Sequence, residues 1–285
     1  MPEREPLSQL IIEPAVRAAL AEDLGRAGDV TTEATVPAGA TARAVIAARA
    51  PGRIAGLDVA RCAFRLVDAS LNIAVQINDG NDAGPGDAIC LIEGPARSIL
   101  SAERVALNYM GHMSGIATAT AAFVKAVEGT TARITCTRKT TPNLRAFEKY
   151  SVRAGGGVNH RFGLDDGILI KDNHIAVAGG VTKALNVAKA RAGHMLRIEI
   201  EVDTLDQLKE ALDGGADSVL LDNMDESTLR KAVEINKGRA TLEASGGITL
   251  ETVRGIAETG VDLISVGWLT HSAPSLDLGL DIVFD

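Results

Sequence analysis

The sequence predicts an α/β protein: an incomplete α/β barrel of six or seven strands, preceded by an α+β domain with an open sheet. Two observations carry this prediction. After about residue 130, short apolar runs alternate with helical segments, an order that is typical of a parallel sheet. The ends of the later apolar runs lie about 22 residues apart, which favours repeated βα units arranged as a barrel.

Six apolar runs are the predicted barrel strands: ITCT (134–137), ILIK (168–171), RIEIEV (197–202), SVLLD (218–222), TLEAS (241–245) and DLISVG (262–267). The predicted helices between them include TLDQLKEALDGG, DESTLRKAVEIN and LETVRGIAETG. Strands joined through helices run parallel, because the crossover returns the chain to the same end of the sheet. We assign residues 113–285 to this barrel domain, with a return of the last residues to the preceding domain as an alternative.

The first part of the chain has a different pattern. Residues 13–24 predict a helix that ends before Gly25, and GDVTTEATVPAG after it is interpreted as a loop. LNIAVQI (71–77) and AICLIEG (88–94) predict strands, because a cluster of turn-forming residues separates them. A proline-free helical pattern covers residues 99–127. Residues 1–112 are therefore predicted to be an α+β sandwich domain with an antiparallel sheet.

Composition excludes several classes of function. The chain of 285 residues carries a formal net charge of −8, which argues against nucleic acid or an anionic membrane as its main partner. No apolar run approaches the roughly 20 residues of a membrane helix, and the first residues do not resemble a secretion signal. The three cysteines are distant from one another and odd in number, so we expect a reducing, cytoplasmic location.

Each predicted barrel strand ends in polar or glycine-rich residues. In a βα barrel the carboxyl ends of the strands meet at one mouth, where active sites lie. The residues delivered there are Thr137, Arg138 and Lys139, then Lys171, Glu201, Asp222, Ser245, Gly246 and Gly247, and finally Val266, Gly267 and Trp268. We interpret this mouth as an active site, since six successive strands that all end in polar residues are more than the ordinary polarity of loops would produce by chance.

Positive charge is concentrated between Arg133 and Lys171. This segment contains eight arginines and lysines but three acidic residues, in a chain that is acidic overall. We interpret three of the cations, Arg145, Lys149 and Arg153, as solvated helix charges. The candidates for binding a polyanionic small molecule are Arg138, Lys139, His160, Arg161 and Lys171. Arginine suits such a site because its guanidinium matches carboxylates and phosphates with two parallel hydrogen bonds.

The later strands supply carboxylates and glycines. Glu201 and Asp222 end consecutive strands, and paired carboxylates beside a phosphate site hold Mg²⁺ or the hydroxyls of a ribose. SGG (245–247) and VGW (266–268) follow the last two strands, where glycine lets backbone N–H groups approach a phosphate. These residues predict transfer or hydrolysis of a phosphorylated sugar and leave the acceptor open.

A longer motif resembles that of a known protein family. TRKTTPNLRAFEKYSVRAGGGVNHRFGLDDGILIKDNH, at 137–174, resembles the signature stretch of the quinolinate phosphoribosyltransferases. The similarity continues through IEIEVDTLDQLKEAL, VLLDNM and LEASGGI, and also includes AEDLGRAGDVTTEATVP and ERVALNYMGHMSGIAT. It covers nearly the whole chain.

This resemblance implies a reaction and a set of roles. Quinolinate and phosphoribosyl pyrophosphate would give nicotinate mononucleotide, pyrophosphate and CO₂ with Mg²⁺, in NAD biosynthesis. A homodimer with shared active sites is implied, with a higher oligomer as an alternative. Arg138, His160, Arg161 and Lys171 would line the quinolinate pocket, Lys139 would lie between the substrates, and Arg104 would enter from the partner subunit. Glu201 and Asp222 would bind ribose and metal, and Lys139, Lys171, Glu201 and Asp222 are the catalytic candidates. The two glycine loops, with Ser245, Val266 and Trp268, would hold the 5′-phosphate.

Three other functions stay open at this point. A molybdenum-transport-associated paralogue would act on another substrate. A Schiff-base aldolase would use a lysine at a strand end, such as Lys171, as its nucleophile. A non-catalytic protein would bind a sugar phosphate without converting it.

Overall fold

The computed structural model describes residues 5–283; residues 1–4 and 284–285, which belong to the two predicted domains, lie outside that range. The described residues form two compact units. The first contains those in Met1–Ala121, Pro142–Gly156 and Ser272–Asp285, and the second contains Ala122–Thr141 and Gly157–His271. The predicted α/β class is confirmed, with an antiparallel sheet in the first unit and a parallel sheet in the second.

The first unit is built on a four-stranded antiparallel sheet in the order β12-β1-β5-β3. Its strands are β1 (Thr41–Ala48), β2 (Gly52–Arg53), β3 (Asn72–Val75), β4 (Asp82–Ala83), β5 (Ala88–Pro95) and β12 (Leu278–Val283). Its helices are α1 (Gln9–Leu24), α2 (Val30–Thr35), α3 (Leu57–Val67), α4 (Ala96–Ala126) and α5 (Arg145–Ala154). β12 is late in the chain and pairs along the whole of its length with β1.

Aliphatic side chains from helices and sheet fill the core of this unit. Ile12 and Val16 on α1, Ile46 and Ile92 on the sheet, and Met110 on α4 are all fully buried. The apolar positions of α1 recur every four residues and therefore lie on one face of the helix. Burial of each such side chain stabilises the fold by roughly 1.5–3 kcal/mol.

Two interpretations of the sequence are wrong in this unit. GDVTTEATVPAG is not all loop, because Val30–Thr35 forms α2 and the Asp29 carboxylate accepts a hydrogen bond from the Thr32 N–H at 2.9 Å. An aspartate at this position stabilises the first turn of a helix. Lys149 is not a solvated charge, because it is fully buried on α5 next to the equally buried Glu148.

The second unit is built on a six-stranded parallel sheet in the order β6-β11-β10-β9-β8-β7. Its strands are β6 (Arg133–Thr135), β7 (Ile168–Ile170), β8 (Ile198–Val202), β9 (Ser218–Asp222), β10 (Thr241–Ser245) and β11 (Leu263–Ser265). Its helices are α6 (Asp172–Ala178), α7 (Val181–Arg191), α8 (Leu205–Asp213), α9 (Glu226–Asn236), α10 (Val253–Ala257) and α11 (Trp268–His271).

The predicted incomplete barrel is confirmed. β6 and β7 are the two edges of the parallel sheet, and within residues 5–283 no ladder joins them. The outer edge of β6 is instead covered by Val158, whose N–H donates to Ile134 O at 2.8 Å. The central strand β9 is an almost continuous apolar run, because both of its faces are buried.

No helix in the described part of the chain is both long and apolar enough to span a membrane.

Candidate active site

The carboxyl ends of all six parallel strands lie along one edge of the sheet in the second unit. Residues 137–139 follow β6, and Lys171 follows β7. Glu201 lies near the end of β8, and the register places Asp222, the last residue of β9, beside Ser245. The predicted strand-end residues are thus gathered at one edge, as their positions after the apolar runs indicated.

Two arginines lie close together at this edge. Arg138 and Arg161 are both half-buried, and in neither does the buried Nε atom meet a hydrogen-bond acceptor within the described residues. Arg161 Nη1 donates to Gly167 O at 3.0 Å. The pKa of Arg161 is lowered, first because burial removes water from the guanidinium and then because the charge of Arg138 repels it. Two guanidiniums in this arrangement would be stabilised by an anionic ligand.

His160 precedes Arg161 and is held by a chain of buried side chains. Its Nε2 atom lies 2.8 Å from Glu199 Oε2 and 3.8 Å from Glu243 Oε1. Glu199 Oε1 accepts a hydrogen bond from Ser218 Oγ at 2.8 Å. These carboxylates lie within strands β8 and β10, where burial of a polar group is costly unless it is hydrogen-bonded.

Lys171 and Glu201 form an ion pair. Lys171 Nζ donates to Glu201 Oε2 at 2.7 Å, and the lysine is about half exposed whereas the carboxylate is mostly buried. The pair joins a cation predicted to bind quinolinate to a carboxylate predicted to bind ribose and metal. An ion pair that is partly open to water is weak, so a ligand can replace either partner at small cost.

Asp222 is fixed by its neighbour. Asn223 Nδ2 donates to Asp222 Oδ2 at 2.6 Å, and the Asn223 N–H donates to Ser245 O at 2.9 Å. Asn223 adopts a positive φ of 53°, which asparagine tolerates better than most residues. This turn joins the end of β9 to the first glycine loop.

The first glycine loop follows β10. Gly246 has a φ of 101°, and a Cβ atom on it would overlap Asn223 Oδ1 and lie 3.0 Å from Asn223 N. Gly247 has a φ of 57°, and a Cβ on it would meet nothing within 4 Å. The first glycine is therefore required by a close approach of two chain segments, and the second by its backbone conformation alone.

The second glycine loop packs against the segment that carries Lys139. A Cβ on Gly267 would lie 3.2 Å from Lys139 Cδ, and Thr270 Oγ1 donates to Lys139 O at 2.7 Å. Val266 is buried and its N–H donates to Thr135 O, so ligand binding from this loop would come from Gly267 and Trp268. The exposed Trp268 ring lies 6.4 Å from that of Phe123.

Arg104 and Thr137 complete the set of predicted residues. Arg104 lies on α4 in the first unit, where its side chain is largely exposed and its Nη2 is 3.9 Å from Glu103 Oε1. Thr137 Oγ1 accepts a hydrogen bond from the Lys139 N–H at 3.0 Å and so shapes the turn after β6. A role for Arg104 at another subunit's site stays a prediction.

Three contributing residues received no role from the sequence: Glu199, Ser218 and Asn223. Glu199 offered a signal, because it precedes Glu201 by two positions and alternate residues of a strand share a face. Asn223 follows Asp222 at the end of a predicted strand, whereas Ser218 gave no comparable signal, because its role depends on a contact between different strands.

The parallel barrel unit has cations, carboxylates and glycine loops along its carboxyl edge. This combination is typical of α/β-barrel enzymes that act on anionic substrates. Two family models match the chain. They are the quinolinate phosphoribosyl transferase C-terminal domain over residues 116–281 and the N-terminal domain of the same family over residues 29–114.

Relatives and solved structures agree with these models. The chain is 47% identical over 272 residues to nicotinate-nucleotide pyrophosphorylase [carboxylating] of Mycobacterium leprae, covering 94% of this chain and 95% of that protein. It is 44% identical over 261 residues to the probable enzyme of that name in Bacillus subtilis, covering 92% and 90%. The structure of NadC from Streptococcus pyogenes is 41% identical, with a TM-score of 0.94 over 98% of this chain and 100% of that one. The chain belongs to the quinolinate phosphoribosyltransferase family.

Proposed function

We propose that this chain catalyses the reaction of quinolinate with phosphoribosyl pyrophosphate to give nicotinate mononucleotide, pyrophosphate and CO₂, in the de novo biosynthesis of NAD. The family and the carboxylating relatives support this activity. The observation in the structure that carries it is the adjacent, half-buried pair Arg138 and Arg161. A dicarboxylate supplies two negative charges that can offset the repulsion between these arginines, and each planar guanidinium can bind one carboxylate with two hydrogen bonds.

Quinolinate binding in this proposal is mainly positioning. Arg138 and Arg161 hold the two carboxylates, and Lys171 adds a third positive charge at the end of β7. Since the pyridine nitrogen is the nucleophile, the protein supplies no nucleophile of its own. A fixed ring orientation lowers the barrier because it removes the entropy cost of aligning two substrates in the reaction step.

The sugar phosphate occupies the opposite half of the edge. Backbone N–H groups of the two glycine loops, with the Ser245 hydroxyl and Trp268, hold the 5′-phosphate. Lys139 lies between the two halves, because its aliphatic stem packs against Gly267 while its backbone belongs to the loop after β6. From there its ammonium can offset the charge that develops on the departing pyrophosphate.

Glu201 and Asp222 are the residues that would hold Mg²⁺. Their hard oxygen donors suit this ion, which usually takes one or two protein carboxylates together with substrate phosphates. They end neighbouring strands, and Asn223 already orients Asp222. When bound, Mg²⁺ would neutralise charge on the pyrophosphate group. The same carboxylates can accept hydrogen bonds from the ribose hydroxyls.

The chemical course follows from the substrates. A bond forms between the pyridine nitrogen and the anomeric carbon of the ribose, while the bond from that carbon to pyrophosphate breaks with its electron pair. The ring is then cationic, and loss of CO₂ from the adjacent carbon leaves an electron pair that this cation stabilises. A proton then replaces the lost carboxylate. The cations at the site hold the remaining carboxylate throughout.

The proposal includes a homodimer in which Arg104 reaches the site of the partner subunit, with a higher oligomer as an alternative. Arg104 is largely exposed on its own unit, as a residue that acts in trans must be. The cytoplasmic location expected from the cysteines belongs to the same proposal.

Purified protein assayed with quinolinate, nicotinate and nicotinamide in parallel tests the activity. We expect CO₂ and pyrophosphate in equal amounts with quinolinate and phosphoribosyl pyrophosphate, and neither product with nicotinamide. Binding of phosphoribosyl pyrophosphate without turnover would indicate a sugar-phosphate binding protein. Turnover of a different acid without CO₂ would indicate the paralogue, and borohydride trapping of a carbonyl compound on Lys171 would indicate an aldolase.

A further inference from the structure

Both ring nitrogens of His160 are engaged by the protein. The backbone N–H of Arg161 donates to His160 Nδ1 at 2.8 Å. On the other side of the ring, His160 Nε2 lies 2.8 Å from Glu199 Oε2. Glu199 is buried, and its second oxygen accepts from Ser218 Oγ at 2.8 Å. A continuous chain of hydrogen bonds therefore runs from β9, through β8 and the imidazole, to the backbone of Arg161.

These partners define the protonation state of the ring. A nitrogen that accepts a hydrogen bond must present its lone pair, so Nδ1 carries no proton. The single ring proton then resides on Nε2, and the Nε2–H group donates a hydrogen bond to the carboxylate oxygen of Glu199. An imidazolium would direct a second N–H at the N–H of Arg161, which is a contact between two donors. This arrangement of hydrogen bonds is the one that an uncharged imidazole makes.

We propose that Glu199 is a positioning residue that, oriented by Ser218, holds His160 in its neutral Nε2–H form so that Nδ1 anchors the backbone of Arg161. Histidine and its orienting carboxylate thus fix the direction from which the Arg161 guanidinium enters the quinolinate pocket. An arginine that is fixed in advance loses less conformational freedom when its substrate binds.

A metal site is the alternative use of these side chains. His160, Glu199 and Glu243 offer one ligand atom each, and the three atoms lie within 4.8 Å of one another. A metal ion would need the lone pair of Nε2, because Nδ1 already accepts from Arg161. In a neutral imidazole only the unprotonated nitrogen has a lone pair that can bind a metal. Nδ1 already uses this lone pair to accept the hydrogen bond from Arg161, so none is left for a metal.

Nitrogen NMR of the unmodified protein tests the tautomer directly. The full chain labelled with ¹⁵N-histidine gives long-range ¹H–¹⁵N correlations that distinguish protonated from unprotonated ring nitrogens, and His160→Asn assigns the signals. We expect a protonated Nε2 and an unprotonated Nδ1. An Nδ1–H tautomer or an imidazolium would overturn the proposal, and so would loss of the Nε2 proton when Zn²⁺ is added.

Variants of the two nearby carboxylates separate a specific hydrogen bond from a general charge effect. Glu199→Leu removes the acceptor and is expected to abolish the single-tautomer pattern. Glu243→Gln alters the other buried carboxyl group near His160 but leaves the 2.8 Å contact between His160 and Glu199, so the pattern is expected to persist. Equal effects of the two substitutions would contradict the proposed role of Glu199.

Kinetics provide a second test, which rests on the proposed function whereas the NMR test does not. Loss of one buried hydrogen-bond partner corresponds to about a tenfold change in an equilibrium. We expect Glu199→Leu to raise KM for quinolinate about tenfold and KM for phosphoribosyl pyrophosphate less than about twofold. Glu199→Gln keeps an acceptor for Nε2–H and is expected to restore most of the loss.

Folding of the variants is checked by circular dichroism. If Glu199→Leu does not fold, Ser218→Ala takes its place, because it removes one contact of Glu199 and leaves the carboxylate. Its expected effect is about a threefold rise in KM for quinolinate, since Glu199 keeps its direct contact with His160 and loses only its own orienting partner. Equal rises in KM for both substrates would contradict the positioning role. Absence of turnover in the unmodified protein, combined with the expected tautomer, would contradict only the proposed reaction.

Discussion

The two glycines of the first glycine loop, Gly246 and Gly247, are expected to respond differently to the same added methyl group. Gly246→Ala places a Cβ in overlap with Asn223 Oδ1 and 3.0 Å from Asn223 N, at a φ of 101°. Gly247→Ala places a Cβ in open space, at a φ of 57°. A non-glycine residue in a left-handed conformation costs roughly 1–2 kcal/mol, and a steric overlap adds typically 1–3 kcal/mol.

The free energy of unfolding should therefore fall by about 2–5 kcal/mol for Gly246→Ala and by about 1–2 kcal/mol for Gly247→Ala. Urea denaturation of both variants beside the unmodified protein measures the difference, provided that the slopes agree. Gly246→Ala should also raise KM for phosphoribosyl pyrophosphate more than Gly247→Ala does, because displacement of Asn223 disturbs its hydrogen bond to Asp222. Equal destabilisation by the two substitutions would show that the close approach to Asn223 contributes nothing.

Three further predictions concern the cations of the site. Lys139→Ala should lower kcat by about two orders of magnitude with an unchanged circular dichroism spectrum; near-normal turnover would remove Lys139 from the site. Arg104→Ala should abolish activity, yet a mixture with Lys171→Ala subunits should regain part of it through hybrid dimers. No recovery after subunit exchange would contradict a shared site. Arg138→Met should raise the unfolding temperature of the substrate-free protein, because it removes the charge that repels Arg161, while weakening quinolinate binding; a lower unfolding temperature would contradict this account.

The sequence was sufficient to predict the parallel sheet and most of the residues at its carboxyl edge. The run SVLLD stands out because this strand is buried and contains no alternating polar residues. The polar residue that ends each run then lies at the carboxyl edge by the geometry of a parallel sheet alone. Lys171, Glu201 and Asp222 could be placed in this way without knowledge of any contact.

Other features depend on contacts that the sequence does not reveal. Lys149 has the charge of a surface residue, and only its place on α5 within the first unit shows that it is buried. The helix α2 was missed because its six residues are rich in threonine, although Asp29 is a suitable N-cap. Glu199 lies 2.8 Å from His160 although the two residues are 39 positions apart, so this contact could not be predicted from the sequence.

The pairing of β12 with β1 has a consequence for synthesis on the ribosome. The segments of the barrel unit are translated between these two strands, so the barrel can complete its folding while the sheet of the other unit still lacks a member. Until β12 is translated, the backbone N–H and C=O groups on the outer edge of β1 lack the hydrogen-bond partners that β12 provides. Such an edge can pair with another nascent chain, and we expect chaperone dependence to be greatest during this interval.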